Sequence, residues 1–422
     1  MSGSRCEVFI SGAGVVSPLG LGCAAHRAAL EAGRGGIGWI RHFPSEGFPV
    51  RIAGEVPAAG LPPGPGRLHY FAALALAEAL EQAGLPAPDD GNDPARAVVW
   101  AVGKPVLPVP ELAAWVAAAP QAGPGGGELA GELRRRYADR LRRQQLTPAD
   151  LLARLARAGH AGGRRVACYT ACASGNDALG MGKRMIERGE AQVVLAGGAD
   201  SQVDALSLLE FELLAALAHP QPGEEPAEVC RPFDRRRTGF VVGEGAAALV
   251  LESGDHLRRR GGQPVARLAG YGSSLDAFGL TKCHPDGRGA AAAMTAALAD
   301  AGEPTTAVDY INAHGTGTVL NDRAEAAAIH QVFGAEAGCV PVSSTKAMTG
   351  HLIAAASAVE AVLSVLGLED GFIPPSLNYQ TPDPECALNI VTAGGRRGPL
   401  RLALSNGFGF GGQNACVVLA RA

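Results

Sequence analysis

The chain has little excess charge of either sign. Its 422 residues carry 37 Lys and Arg against 41 Asp and Glu, a net charge of −4. No field strong enough to gather a polyanion is expected over the whole surface, so nucleic acid is not an expected partner. No apolar run approaches membrane-spanning length, and Met1-Ser2-Gly3-Ser4-Arg5-Cys6-Glu7 has no apolar core of a signal peptide. A cytoplasmic protein without membrane contact is expected. The nine cysteines include no CxxC pair, Cys168 and Cys172 being the only close two, and their odd number argues against a full disulfide framework. Three or four ligands at metal spacing are also missing, so no metal is expected. The glycines near the C-terminus lack a following Lys-Ser/Thr and a helix pattern, which leaves a phosphate-binding loop without support.

Apolar residues are plentiful, at 47% of the chain, enough for a large core. Strand-like runs that end in glycines recur in both halves: Val8-Phe9-Ile10-Ser11-Gly12-Ala13-Gly14 and Ala266-Arg267-Leu268-Ala269-Gly270-Tyr271-Gly272. Val166 to Cys172 leads into a stretch with apolar residues at Ala178, Leu179, Met181, Met185 and Ile186; Val340 to Lys346 leads into Leu352, Ala355, Ala356, Val359, Val362 and Leu363. Both spacings fit a helical period, and the Ala and Gly content suits helices buried between sheets. The expectation is an α/β chain of two related halves, residues 1–255 and 256–422, joined near 251–263. Between 104 and 163 the pattern loosens into an insertion or lid: a Pro/Gly-rich piece (Pro120 to Gly127), a basic helix from Glu128 through Arg134-Arg135-Arg136 to Arg143, and a helix from Pro148 to Ala158. The basic helix either docks an acidic partner or is a solvated face.

Four glycine-bracketed stretches carry chemistry: Tyr169-Thr170-Ala171-Cys172-Ala173-Ser174-Gly175, His314-Gly315-Thr316-Gly317-Thr318, Lys346-Ala347-Met348-Thr349-Gly350-His351, and Asn406-Gly407-Phe408-Gly409-Phe410-Gly411-Gly412. Cys172 opens a proposed helix, where the dipole and free N–H groups favour a thiolate, and its small neighbours leave room for an acyl chain. Alone it reads more readily as a core thiol; the other three stretches reverse that and make it a nucleophile. His314 and His351 can each donate an N–H to a developing enolate oxygen. Lys346 either pairs with Glu325 and fixes the histidines or polarises a substrate carboxylate, the pairing being preferred. The glycines 409, 411 and 412 mark a loop approaching a ligand, with Phe408 supplying an N–H to the oxyanion and a gating ring.

These stretches, with Val8 to Gly20, Ala196-Gly197-Gly198-Ala199, Arg231-Pro232-Phe233-Asp234 and Gly239 to Gly245, resemble the elongating β-ketoacyl-acyl carrier protein synthases over nearly the whole chain. The resemblance implies a thiolase-like fold, a layered α-β-α-β-α sandwich of two βαβαβ halves. It makes Cys172 the acyl-accepting nucleophile, with its own N–H and that of Phe408 as the oxyanion hole. It assigns decarboxylation of a malonyl extender to His314 and His351, makes Lys346 an organiser with Glu325, and gives Thr316, Thr318, Gly409, Gly411 and Gly412 supporting places. No cofactor is implied beyond the phosphopantetheine of an acyl carrier protein. A homodimer, or a heterodimer with a chain-length-factor-like subunit, is expected. Gly103-Lys104-Pro105-Val106 in place of a glycine-rich turn, Thr238, Cys283, Gln413 and the long basic 104–163 segment depart from the family pattern. They point to a type II polyketide or polyene pathway more than to housekeeping fatty-acid elongation. A non-catalytic scaffold subunit is disfavoured by the retained Cys172 and histidines. A thiolase is disfavoured because the late loop carries Phe408 and Phe410 and no second reactive Cys.

Overall fold

A computed structural model describes residues 6–57, 66–88, 91–104, 109–117, 127–392 and 394–422. Eleven strands form one hydrogen-bonded path. They are β1 (Val8–Ser17), β2 (Arg96–Val102), β3 (Arg165–Cys168), β4 (Val193–Ser201), β5 (Glu244–Ser253), β6 (Ala266–Leu275), β7 (Tyr310–Asn312), β8 (Pro341–Ser343), β9 (Asn389–Ile390), β10 (Leu402–Gly409) and β11 (Gln413–Arg421). The first half runs in the order β1-β5-β4-β2-β3 and the second in the order β6-β11-β10-β7-β8, so each strand of one half has a counterpart in the other. In both, the first three neighbours pair antiparallel and the rest parallel. The sheets meet where Phe9 and Ile10 of β1 pair with Arg267 and Ala266 of β6. The short β9 extends the second half beyond β8.

Five principal helices complete the layers: α1 (Arg67–Ala83), α2 (Ser174–Glu187), α3 (Arg288–Ala301), α4 (Val319–Phe333) and α5 (Ala356–Asp370). α2 and α5 are the buried pair expected from their small-residue composition, and they share a core with both sheets through Leu179, Met185, Val359 and Val362. From Ala356 to Leu368 every residue of α5 is buried, with Val359, Leu363 and Val365 at 0–1% exposure. Each such side chain contributes roughly 1.5–3 kcal/mol by leaving water, which anchors the layer without any polar face. The close crossing is made by Gly175, where an added Cβ would lie 2.3 Å from the Ala358 nitrogen. Outside, α1 and the helix Pro148–Ala158 cover the first sheet through Phe71, Leu76, Leu151 and Leu155, and α3 and α4 cover the second through Met294 and Ile329. The result is a five-layer α-β-α-β-α sandwich.

In the insertion, helices span Val109–Ala117, Gly127–Arg143 and Pro148–Ala158. The last begins where a Thr147–Asp150 capping box and Pro148 dictate. Arg135 and Arg136 pair with Glu132, Arg142 with Asp139, and Arg140 with Glu111, so much of the basic cluster is neutralised within the insertion itself. The Pro/Gly-rich stretch 118–126, the turn residues Pro105 and Val106, and the first five residues lie outside the described residues. No helix among the described residues is long and apolar enough to cross a membrane.

Candidate active site

The nucleophile candidate sits on a sharp bend between β3 and α2. Ala171 adopts a left-handed φ of 49°, and a single 3₁₀ turn, Ala171–Ala173, carries Cys172 before α2 begins at Ser174. A non-glycine residue there costs about 1–3 kcal/mol of strain, so the surroundings must hold the bend. Ser174 does so locally, its hydroxyl donating to the Ala171 carbonyl at 2.6 Å and accepting from the Thr170 N–H at 2.8 Å. From α5, the Ser357 hydroxyl donates to the Cys172 carbonyl at 3.1 Å and accepts from the Asn176 N–H at 3.0 Å.

His314 follows β7 on a loop gripped from beneath. Glu325 of α4 accepts from the N–H groups of His314 (2.8 Å) and Gly315 (2.7 Å) and from the Asn406 side-chain amide (3.0 Å). Thr316 and Thr318 hydroxyls lie 3.0 Å apart, and Thr318 caps α4. His351 lies five residues before α5, its N–H donating to the Val241 carbonyl at 2.7 Å and its carbonyl accepting from Gly243 at 2.8 Å. Its ring and that of Phe240 pack nearly perpendicular with centroids 5.2 Å apart.

These elements bring the expected residues together. His351 Nε2 lies 3.1 Å from Cys172 Sγ, and the His314 and His351 rings meet edge to face at 5.3 Å. Lys346 Nζ donates to His314 Nδ1 at 3.4 Å. An ammonium cannot accept a hydrogen bond, so Nδ1 is the acceptor and the ring proton belongs on Nε2. Burial, reinforced by the Lys346 charge, holds both imidazoles well below their ordinary pKa, so they are neutral.

Three expectations need correction. Lys346 pairs with Glu360 of α5, not with Glu325. Glu325 instead organises the His314 loop through backbone N–H groups, and burial raises its pKa to about 7 against those hydrogen bonds. Burial likewise raises Glu360 to about 7 against the pull of Lys346. Cys172 is no resting thiolate either. Burial pushes its thiol up to about 12, opposed by Lys346 and by a backbone N–H from Phe410, because removing water outweighs the short turn's dipole. That N–H corrects the third expectation: the peptide group facing the sulfur is Phe410's, not Phe408's. β10 runs through Gly409, with Phe408 paired opposite Asn414, and the loop is only the tight turn Phe410–Gly412. Phe408 supplies a ring 5.7 Å from that of His314. Gly409 is required sterically, since a Cβ there would lie 3.0 Å from the Cys172 nitrogen and 2.8 Å from the Thr170 carbonyl.

A cavity of about 320 Å³ opens above these groups. Its lining mixes apolar side chains, among them Phe211, Leu214, Ile353 and Phe240, with polar ones, among them Thr316, Thr318 and Asn321. The sulfur and imidazole nitrogens lie within 4.8 Å of one another, a set that could approach a soft cation. The Lys346 ammonium 3.4 Å from His314 opposes a second positive charge there.

A buried thiol facing two neutral imidazoles beneath a partly apolar cavity defines a cysteine-based acyl-transfer centre. The β-ketoacyl synthase N-terminal domain model matches residues 66–256 and the C-terminal domain model matches 265–380. The chain belongs to the β-ketoacyl synthase family. It is 37% identical to the tetracenomycin polyketide synthase ketoacyl synthase alpha subunit of Streptomyces glaucescens, over 98% of this chain and 97% of that one. It is 36% identical to 3-oxoacyl-[acyl-carrier-protein] synthase 2 of Rhizobium meliloti, over 98% and 99%. Among solved structures it resembles a ketosynthase complex with a type II polyketide acyl-carrier protein, bound to the hexaketide (TM-score 0.84, 31% identity, 99% of this chain and 100% of that one). It also resembles the ishigamide ketosynthase/chain length factor (TM-score 0.84, 33% identity, the same coverage).

Proposed function

We propose that the protein is a β-ketoacyl-acyl carrier protein synthase of a type II polyketide or polyene pathway, carrying out decarboxylative Claisen condensation on Cys172. The observation that carries this reading is the convergence of one sulfur and two imidazoles within 4.8 Å at the floor of a cavity. In the first half-reaction the Cys172 sulfur attacks the thioester of an acyl carrier protein, its S–H proton passing to the departing carrier thiol and its charge held by the Nε2–H of His351, 3.1 Å away. The N–H groups of Cys172 and Phe410 take the developing oxyanion, and the proton leaves with the carrier thiol. In the second, a malonyl carrier enters and loses carbon dioxide. His314 and His351 donate N–H groups to the enolate oxygen, and the carbanion attacks the Cys172 thioester, releasing a carrier-bound chain two carbons longer and the Cys172 sulfur, which regains its proton from water. Lys346, held by Glu360, keeps His314 in the tautomer that donates from Nε2. No cofactor beyond the carrier's phosphopantetheine takes part.

The polyketide assignment draws on the Streptomyces glaucescens relative and on the two structural neighbours. The same neighbours support an acyl carrier protein and a chain-length-factor-like subunit as partners, and the proposal places the protein in the cytoplasm. The two domains divide in the linker between β5 and β6, with 104–163 as the insertion. The test is a condensation assay with acyl-carrier and malonyl-carrier substrates, alone and with a candidate chain-length-factor subunit. A β-ketoacyl-carrier product formed with ping-pong kinetics is expected. Acyl-enzyme that never releases carbon dioxide from malonyl carrier would overturn the assignment.

A further inference from the structure

The segment between β6 and α3 carries a charge that the condensation chemistry above leaves unused. Lys282 lines the catalytic cavity with Thr281 and Cys283, and it is the only Lys or Arg among the described lining residues. It is exposed and forms no ion pair among the described residues. Asp276, the one carboxylate in the lining, is occupied: it accepts from the His284 N–H at 2.9 Å and from the Asn414 amide at 3.1 Å. The segment is also tied to the turn that covers Cys172. Asp276 donates its N–H to the Gly412 carbonyl at 2.8 Å, and the Gly411 N–H donates to the Leu280 carbonyl at 2.6 Å. Lys282 thus lies two residues beyond the Leu280 carbonyl that is bonded to the turn bordering the nucleophile. The deeper cation, Lys346, is 0% exposed and already paired with Glu360. An anion entering from solvent therefore meets one free cation.

We propose that Lys282 recognises the anionic group of the incoming thioester at the cavity mouth, either the phosphate of a phosphopantetheine arm or the carboxylate of a malonyl extender. This rests on the condensing-enzyme reading. Lys282 selects by charge and takes no part in bond making. An exposed ammonium contributes modestly and is screened by salt.

The experiment measures Cys172 acylation by rapid-quench mass spectrometry, comparing acyl-4′-phosphopantetheine with acyl-pantetheine donors in wild type, Lys282→Met and Lys282→Arg. Condensation of pre-acylated enzyme with malonyl-pantetheine and malonyl-4′-phosphopantetheine follows. Lys282→Met is expected to lower the preference for the phosphate-bearing donor by about three- to tenfold at low salt, an effect shrinking at high salt and retained function in Lys282→Arg. Loss that follows the phosphate in both half-reactions assigns the arm. Loss confined to malonyl donors, with or without phosphate, assigns the carboxylate. Rates unchanged by Lys282→Met with every acyl and malonyl donor, with and without phosphate, overturn the inference while leaving the condensing reading intact. Wild-type enzyme that is acylated by no donor overturns both.

Discussion

The two halves build the same bend twice and use only one of them. Ala171 at φ 49° and Ile353 at φ 47° each open a 3₁₀ turn, which leads into the buried helices α2 at Ser174 and α5 at Ala356. By that spacing Ala354 stands where Cys172 stands in the other half. What lies above the two turns differs as well. Asp200 pairs with Gly245 near the end of β4, and Gly409 pairs with Gln413 at the end of β10, equivalent positions in the two ladders. Asp200 accepts from the Ala354 N–H at 3.0 Å and closes that bend, whereas Gly409 leaves the Cys172 N–H uncovered. One fold element thus serves as a sealed structural joint or as a reactive centre, depending on one side chain above it and one within it. Charge is divided in the same way, since Glu360 of α5 has Ala178 as its counterpart in α2.

The largest effect should come from making the reactive bend resemble the sealed one. Gly409→Ala places a methyl 3.0 Å from the Cys172 nitrogen and should slow acyl loading by about 10²–10³, the scale of a lost oxyanion donor, with the fold retained by circular dichroism. Loading within a factor of three of wild type would separate Gly409 from catalysis. Next is the ion pair found only in the second half. Glu360→Leu leaves Lys346 buried without its carboxylate and should destabilise by about 3–5 kcal/mol in denaturant unfolding, a loss that Lys346→Met added to it should largely recover. Asp200→Ala strips the acceptor from the buried Ala354 and Ser201 N–H groups and should cost about 2 kcal/mol of stability, with acyl loading reduced far less than by Gly409→Ala. The smallest effect concerns pH. With the Cys172 thiol near 12, deprotonation increases throughout the accessible range, so iodoacetamide alkylation of Cys172 should keep rising from pH 6 to 9. A plateau reached below pH 7 would mean that the site stabilises a resting thiolate after all.

The chemistry of the site was legible in the sequence because each reactive side chain sits in its own glycine-bracketed stretch after a strand. Cys172, His314, Lys346 and His351 converge as those stretches imply. Their supporting partners were not legible, because they are chosen by tertiary packing. Glu360 lies on the next helix, fourteen residues from Lys346, and no local pattern separates it from Glu325. The displacement from Phe408 to Phe410 has a different cause. A glycine-rich run suggested a loop throughout, but the ladder to β11 continues as far as Gly409 and confines the turn to three residues. The thiol's high pKa was hidden for the same reason, since complete burial is a property of the assembled layers. The two halves and the two buried helices were visible from repeated strand-glycine patterns and small-residue content. Asp200 gave no signal, because its role exists only opposite Ala354.

The most direct test is intact-protein and peptide mass spectrometry after incubation with an acyl-loaded carrier protein. The account predicts one acyl group on the Cys172 peptide, absent from Cys172→Ala and never found on the second bend around Ala354. Acylation elsewhere with Cys172 left free, or unchanged acylation of Cys172→Ala, would contradict it.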